Sequence, residues 1–165
     1  MGVKHVKVRY LDASAIVKVF YDEAGSDAMK AHYHSESGFC ATSLCLTEAL
    51  GVLKAKWRYG HLEEVAYFDA TEHLLVDAWS GKLEIDEVKL LSIGGISSVK
   101  AIAGKYQLDW SDALQLETIK KGKYAHFAGE SRSILITADD GLAQAARAEN
   151  IRVWDCLRDA KPDWA

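Results

Sequence analysis

The sequence predicts an α/β fold, a three-layer α/β/α sandwich around a central, mostly parallel sheet. Three observations carry the prediction. Short apolar or alternating runs recur between longer stretches of helical periodicity, the pattern of strands covered by helices on both faces. The only proline is Pro162, so elements can run unbroken for most of the length. No internal repeat, low-complexity tract or linker divides the 165 residues, which suits a single domain spanning 1–165.

The elements follow in order. Val6 to Leu11 alternates and then meets Asp12-Ala13-Ser14, a strand ending at a helix start. Ser14 to Asp22 reads as a helix, Glu23 to Ser26 as a turn, and Asp27 to His34 as a second helix. Phe39 to Thr42 is a short strand. Ser43 to Tyr59 is a longer helix stopped by Gly60, and His61 to Ala78 is another. Leu83 to Val88 alternates apolar and acidic residues, which predicts a strand. Leu90 to Tyr106 reads as helix despite Gly94-Gly95. Trp110-Ser111 caps a helix from Asp112 to Lys121. Ser133 to Thr137 is an apolar run of the kind found in buried strands. Asp139 to Glu149 is helical, and Ile151 to Val153 is the last strand.

Composition narrows the class. Apolar residues make up 49% and charged residues 27%, the balance of a soluble globular chain with an adequate core. No apolar run reaches the length of a membrane span, and Met1 to Tyr10 lacks the apolar stretch of a secretory signal. Cys40, Cys45 and Cys156 are odd in number and lack C-x-x-C spacing. That argues against disulfides and zinc, and predicts buried thiols in a reducing, cytoplasmic setting. The net charge of −4 does not advertise a basic nucleic-acid surface. A nuclease with this charge requires acidic residues gathered at a metal site, or a basic partner.

In open parallel sheets, ligands sit beyond the carboxyl ends of the strands. Asp12 follows the first strand, and Asp139 follows the Ile134-Leu135-Ile136 strand, so both are expected at that edge. Each also suits a helix start, and Thr137 with Asp140 fits a capping box. Glu48 has Leu44, Cys45 and Val52 as helical neighbours. It is therefore expected on a core-facing side, where a bare carboxylate needs a partner or an ion. Asp112 sits at a helix start, where it opposes the helix dipole. Four gathered negative charges repel unless a cation lies among them. Mg²⁺ or Mn²⁺ suits all-oxygen ligands and can activate water and stabilise charge on a phosphoryl oxygen.

The quoted residues resemble a known family. Tyr10-Leu11-Asp12-Ala13-Ser14-Ala15-Ile16-Val17-Lys18 is similar to the opening motif of PIN domains, specifically VapC-type toxin ribonucleases. Phe20 to Ser26 looks like the turn that follows it. Thr42 to Ala49 is similar to the helix carrying the family's Glu, here Glu48. Leu108 to Leu116 is similar to the third acidic motif, with Asp112. Ile136 to Ala146 is similar to the fourth, with Asp139. The resemblance covers nearly the whole chain. It implies a Mg²⁺- or Mn²⁺-dependent endoribonuclease, the toxin of a toxin–antitoxin pair. Asp12, Glu48, Asp112 and Asp139 would hold one or two ions, with Asp140 as an outer ligand. Ser14 and Thr137 would orient those groups from behind. It further implies an RNA substrate, a homodimer and a cognate antitoxin whose basic tail suits an acidic toxin. A PIN-like binding module without turnover is the alternative. A haloacid-dehalogenase-like phosphatase fits poorly, because Asp12-Ala13-Ser14 lacks the second Asp of its Asp-x-Asp pair.

Lys18, Lys54, Lys56 and Arg58 can be read as phosphate contacts, with Trp57 and Tyr59 stacking on bases. They can equally form a solvated basic face with aromatics in a core or interface. Lys120, Lys121 and Lys123 read as solvated surface. His5, His32, His34, His61, His73 and His126 read as structural or exposed, because His32 and His34 lack the i, i+4 spacing of a helical metal pair. No phosphate-binding glycine loop and no Ser or Cys nucleophile motif is present.

Overall fold

The computed structural model describes residues 6–165; the expectations for Met1 to His5, including His5 itself, lie outside them. Five strands form one sheet in the order β3-β2-β1-β4-β5, and every pairing is parallel. In chain order they are β1 (Val8–Leu11), β2 (Phe39–Ala41), β3 (Leu83–Ile85), β4 (Ser133–Thr137) and β5 (Arg152–Asp155). The helices are α1 (Ala13–Phe20), α2 (Ser26–Ser35), α3 (Ser43–Arg58), α4 (Glu64–Ser80), α5 (Ile93–Tyr106), α6 (Trp110–Lys121), α7 (Ala125–Gly129) and α8 (Asp140–Ala148). The predicted three-layer sandwich is therefore the observed architecture. Among the described residues, no helix is long and apolar enough to cross a membrane.

Period-two alternation divides the core between the faces of the sheet. Leu11, Phe39, Ala41, Ile134, Ile136 and Trp154 pack with residues of α1, α2, α3 and α4. Val8, Tyr10, Cys40, Leu135 and Val153 turn to the other face, against α5, α6 and α8. The central strands β1 and β4 are therefore buried along their whole length, since both faces are covered. All three cysteines are free and buried, as their number and spacing predict. Burial pushes each thiol up to about 12.

Strand order decides where a site can form. The chain builds β1, β2 and β3 outward to one side, then returns so that β4 lies on the other side of β1. The direction of winding thus reverses between β1 and β4, and the crevice beyond their carboxyl ends is the place where such sheets bind ligands. Leu11 pairs with Ile136, and Asp12 N–H donates to the Ile136 carbonyl at 3.3 Å. The chain ends leading to Asp12 and Asp139 are therefore locked side by side.

Element ends differ from the sequence reading where local bonds overrule pattern. β1 begins at Val8 rather than Val6. β3 ends at Ile85, because the chain turns off the sheet and Val88 N–H bonds the Thr118 hydroxyl. α4 starts at Glu64, not His61. The short α7 was not expected, since five residues carry no readable periodicity. α6 begins at Trp110 and is capped by Asp109, whose carboxylate accepts the Asp112 N–H at 2.9 Å; Trp110-Ser111 is not the cap. α8 is capped by Asp139, which accepts the Leu142 N–H at 2.7 Å. The expected Thr137–Asp140 capping box is absent because the helix starts later, with Asp139 as its cap, and the Thr137 hydroxyl accepts the Asp139 N–H instead.

The Gly94-Gly95 pair has a packing explanation. α5 begins only at Ile93, with the Ser92 hydroxyl accepting the Gly95 N–H at 3.0 Å. A Cβ at Gly95 would fall 2.0 Å from the Lys89 carbonyl oxygen, whereas one at Gly94 would meet nothing within 4 Å. Alanine should therefore act oppositely at the two positions. In urea unfolding, Gly95→Ala is expected to destabilise by about 1–3 kcal/mol through overpacking. Gly94→Ala is expected to stabilise by roughly 0.4–1 kcal/mol by restricting the unfolded chain.

Candidate functional site

Asp12 is the fixed point of the site. It caps α1, with Oδ1 accepting the Ala15 N–H at 2.9 Å. Ser14 Oγ donates to Oδ1 at 2.7 Å, and Thr137 Oγ1 donates to Oδ2 at 2.6 Å. Each hydroxyl also accepts a backbone N–H from the loop after β4: Ser14 from Ala138 at 2.8 Å, and Thr137 from Asp139 at 2.9 Å. Both therefore bridge the ends of β1 and β4 and hold the Asp12 carboxylate between them. Asp12 is only 3% exposed. Burial raises its pKa to about 6 against the lowering effect of these bonds, and the Asp139 charge adds to the rise.

The other three acids predicted for the site line the same cleft of about 270 Å³, together with Asp12, Ser14, Val17, Val52, Glu23 and Asp109. Glu48 reaches it from α3, where Ser111 Oγ donates to Glu48 Oε2 at 2.8 Å. Its surroundings differ from the expectation. Glu48 is exposed rather than core-facing, because the stripe it shares with Val52, itself 39% exposed, looks along the cleft. Asp112 enters from the first turn of α6 and is half-buried. Burial first, then Asp109, Asp12, Asp139 and Glu48, push Asp112 up to about 8. Asp139 is exposed at the start of α8.

One expected ligand is not there. Asp140 does not line the cleft, and its carboxylate accepts from Gln144 Nε2 at 2.6 Å, one helical turn on. Two cleft acids escaped the sequence reading. Asp109, three residues before Asp112, is passed over by a reading that places the cap at Trp110-Ser111. Glu23 lay in a predicted turn.

The remaining cations and aromatics sort unevenly. Lys18 is buried and paired with Glu23 at 2.8 Å, so it is no free phosphate contact. Trp57 stacks on Tyr67, with ring centroids 4.6 Å apart, rather than presenting a face to a base. Lys120, Lys121 and Lys123 pair with Glu149, Glu117 and Glu84. His32 is buried edge-on against Phe39 and Trp154, and burial holds its pKa down to about 4. His34, His61, His73 and His126 are exposed.

The donor set suits a hard divalent cation: every candidate ligand is a carboxylate oxygen, and mutual repulsion rewards a positive charge among them. The side chains are not drawn into a finished cage. Among the described residues, no three His, Cys, Asp or Glu side chains stand together closely enough to hold an ion as they lie. Asp12 is tied down, so closure would require rotation of the more exposed Glu48, Asp112 and Asp139.

Comparison with known proteins adds the fold. No family model matches the chain, and no curated protein sequence matches it. The chain is similar to the crystal structure of PAE2754 from Pyrobaculum aerophilum, with 21% identity, a TM-score of 0.54 and 87% of each chain covered. At that identity the likeness is one of fold.

The raised pKa values have a stability consequence. Asp112 keeps its proton in the folded state up to about pH 8, whereas the unfolded chain releases it near pH 4. Between those values the folded state binds more protons, so this group's contribution to stability is lost as pH rises from about 4 to about 8. In EDTA, wild type should melt at a lower temperature at pH 8 than at pH 5. Asp112→Asn should reduce that difference and raise the pH 8 melting temperature by several degrees, at about 2–4 °C per kcal/mol. An unchanged pH dependence in this variant would contradict the rise assigned to burial and neighbouring charge.

Proposed function

We propose that the chain is a Mg²⁺- or Mn²⁺-dependent endoribonuclease of the PIN type, the toxin of a toxin–antitoxin pair. The observation that carries the reading is the meeting of Asp12, Glu48, Asp112 and Asp139 in one cleft at the β1–β4 reversal of the sheet. They come from positions 127 residues apart in the chain, and their order matches the family motifs quoted above. The resemblance also brings a homodimer and an antitoxin into the proposal.

The roles follow from the geometry. Asp12, held by Ser14 and Thr137, would be the pre-oriented ligand that moves least. Asp139 from the start of α8 and Glu48 from α3 would be further ligands, with Ser111 steering Glu48. Asp112 would give up its proton as the cation takes over the charge that now opposes its ionisation. Mg²⁺ or Mn²⁺, when bound there, supplies a Lewis acid for the phosphoryl oxygen and lowers the pKa of water. Asp109 extends the negative wall and would keep phosphates out of the cleft unless a cation is present.

Purified protein incubated with total cellular RNA should cut it in Mg²⁺ or Mn²⁺ and not in EDTA. Asp12→Asn should lower cleavage by at least about 100-fold while leaving the fold intact by circular dichroism. A wild-type protein that cuts no RNA and binds neither ion would overturn the reading. RNA binding without turnover, unaffected by Asp12→Asn, would instead identify a binding module.

A further inference from the structure

We propose that Lys56 on α3, beyond the margin of the carboxylate cleft formed by Val52 and Glu23, marks a second phosphate subsite for the RNA backbone. Lys56 is its contact, and Glu23 is an internal occupant that substrate displaces. The inference rests on the nuclease reading of the cleft and extends it to how substrate is held.

The stripe Glu48–Val52–Lys56 carries the argument. These residues are spaced i, i+4, i+8 on α3 and share one face. Glu48 and Val52 both line the cleft. Lys56 therefore lies about 12 Å beyond Glu48 along the helix axis, at 1.5 Å per residue. That displacement exceeds the spacing of adjacent phosphates and suits a phosphate about two nucleotides along a strand whose reacting phosphate lies among the carboxylates. α1 contributes from its own side: Ser14 and Val17 line the cleft, and Lys18 and Tyr21 follow each of them four residues on, toward the end of the helix.

Lys56 is held ready rather than sealed in. Its Nζ lies 4.4 Å from the centre of the Tyr21 ring, and 3.5 Å from Glu23 Oε2. The second contact is loose, at the limit of a useful ion pair. The other oxygen of Glu23 is engaged more closely, by Lys18 at 2.8 Å. One carboxylate thus bridges a buried lysine and a partly exposed one, with the side chains of Lys56 and Glu23 25% and 28% exposed. A phosphate oxygen approaching Lys56 would compete with Glu23 on favourable terms, because Glu23 retains Lys18. The Tyr21 face keeps the ammonium in place during the exchange. The arrangement also answers the net charge of −4: the chain needs no broad basic surface if one cation is aligned with the site.

The test is anisotropy of a labelled single-stranded oligoribonucleotide in Ca²⁺ buffer, over a range of salt. Lys56→Ala should weaken binding roughly fivefold and lower the slope of log Kd against log salt by about 0.7, the value for one lost phosphate contact on a single strand. Lys56→Arg should retain affinity. Glu23→Gln should tighten binding, because it releases Lys56. A mere structural ion pair predicts the reverse, with both Lys56→Ala and Glu23→Gln lowering the melting temperature and neither changing the salt slope. That result, in a wild-type protein that binds and cuts RNA, would overturn this inference alone. A wild-type protein that neither binds nor cuts RNA would remove the nuclease reading beneath it.

Discussion

The structure depends on keeping one carboxylate buried at the end of the central strand. Asp12 is almost inaccessible, and an unpartnered carboxylate there would cost several kcal/mol. Three donors offset that cost, and two of them are hydroxyls that also receive N–H groups from the loop after β4. The same bonds that solvate Asp12 fix the loop that presents Asp139. Site and fold are therefore one hydrogen-bonded unit, placed where the winding of the sheet reverses. Replacement of Thr137 or Ser14 by an apolar residue would strain both at once.

Around this anchor the other acids are held by softer means. Glu48 leans on one hydroxyl, and Asp112 sits between the dipole of α6 and four neighbouring negative charges. The contrast is suited to a site that must pre-orient one ligand and let others adjust, since ligand geometry is set by the groups behind the ligands as much as by the ligands. Crowded negative charge is unfavourable for the ion-free protein, and relief of that repulsion is free energy available to a cation.

The fold was legible because its determinants are local and periodic. Apolar runs with two covered faces, separated by helical stretches, specify a parallel sheet, and the edge rule then locates Asp12 and Asp139. Legibility failed where tertiary partners decide. Glu48 reaches the cleft, but the reasoning that placed it on the core side missed that Val52 is itself exposed. Asp140 came in with the resemblance of the Ile136 to Ala146 stretch, although Gln144, four residues on, was a readable sign that its side chain is satisfied along the helix. Asp109 is passed over when the cap is placed at Trp110-Ser111; it is the cap of α6 and also lines the cleft, and nothing in a single sequence separates the two roles. Glu23 could not be recognised, because its approach to the cleft and to Lys56 exists only once α1 and α3 pack together.

The central claim, that the fold gathers these carboxylates to share a cation, is tested most directly by counting bound Mn²⁺ through the electron paramagnetic resonance of the free ion. The account predicts saturable binding of one or two ions per chain, with affinity at least about tenfold weaker in Asp12→Asn. Titration that never saturates, or saturation with the same affinity in Asp12→Asn, would contradict it.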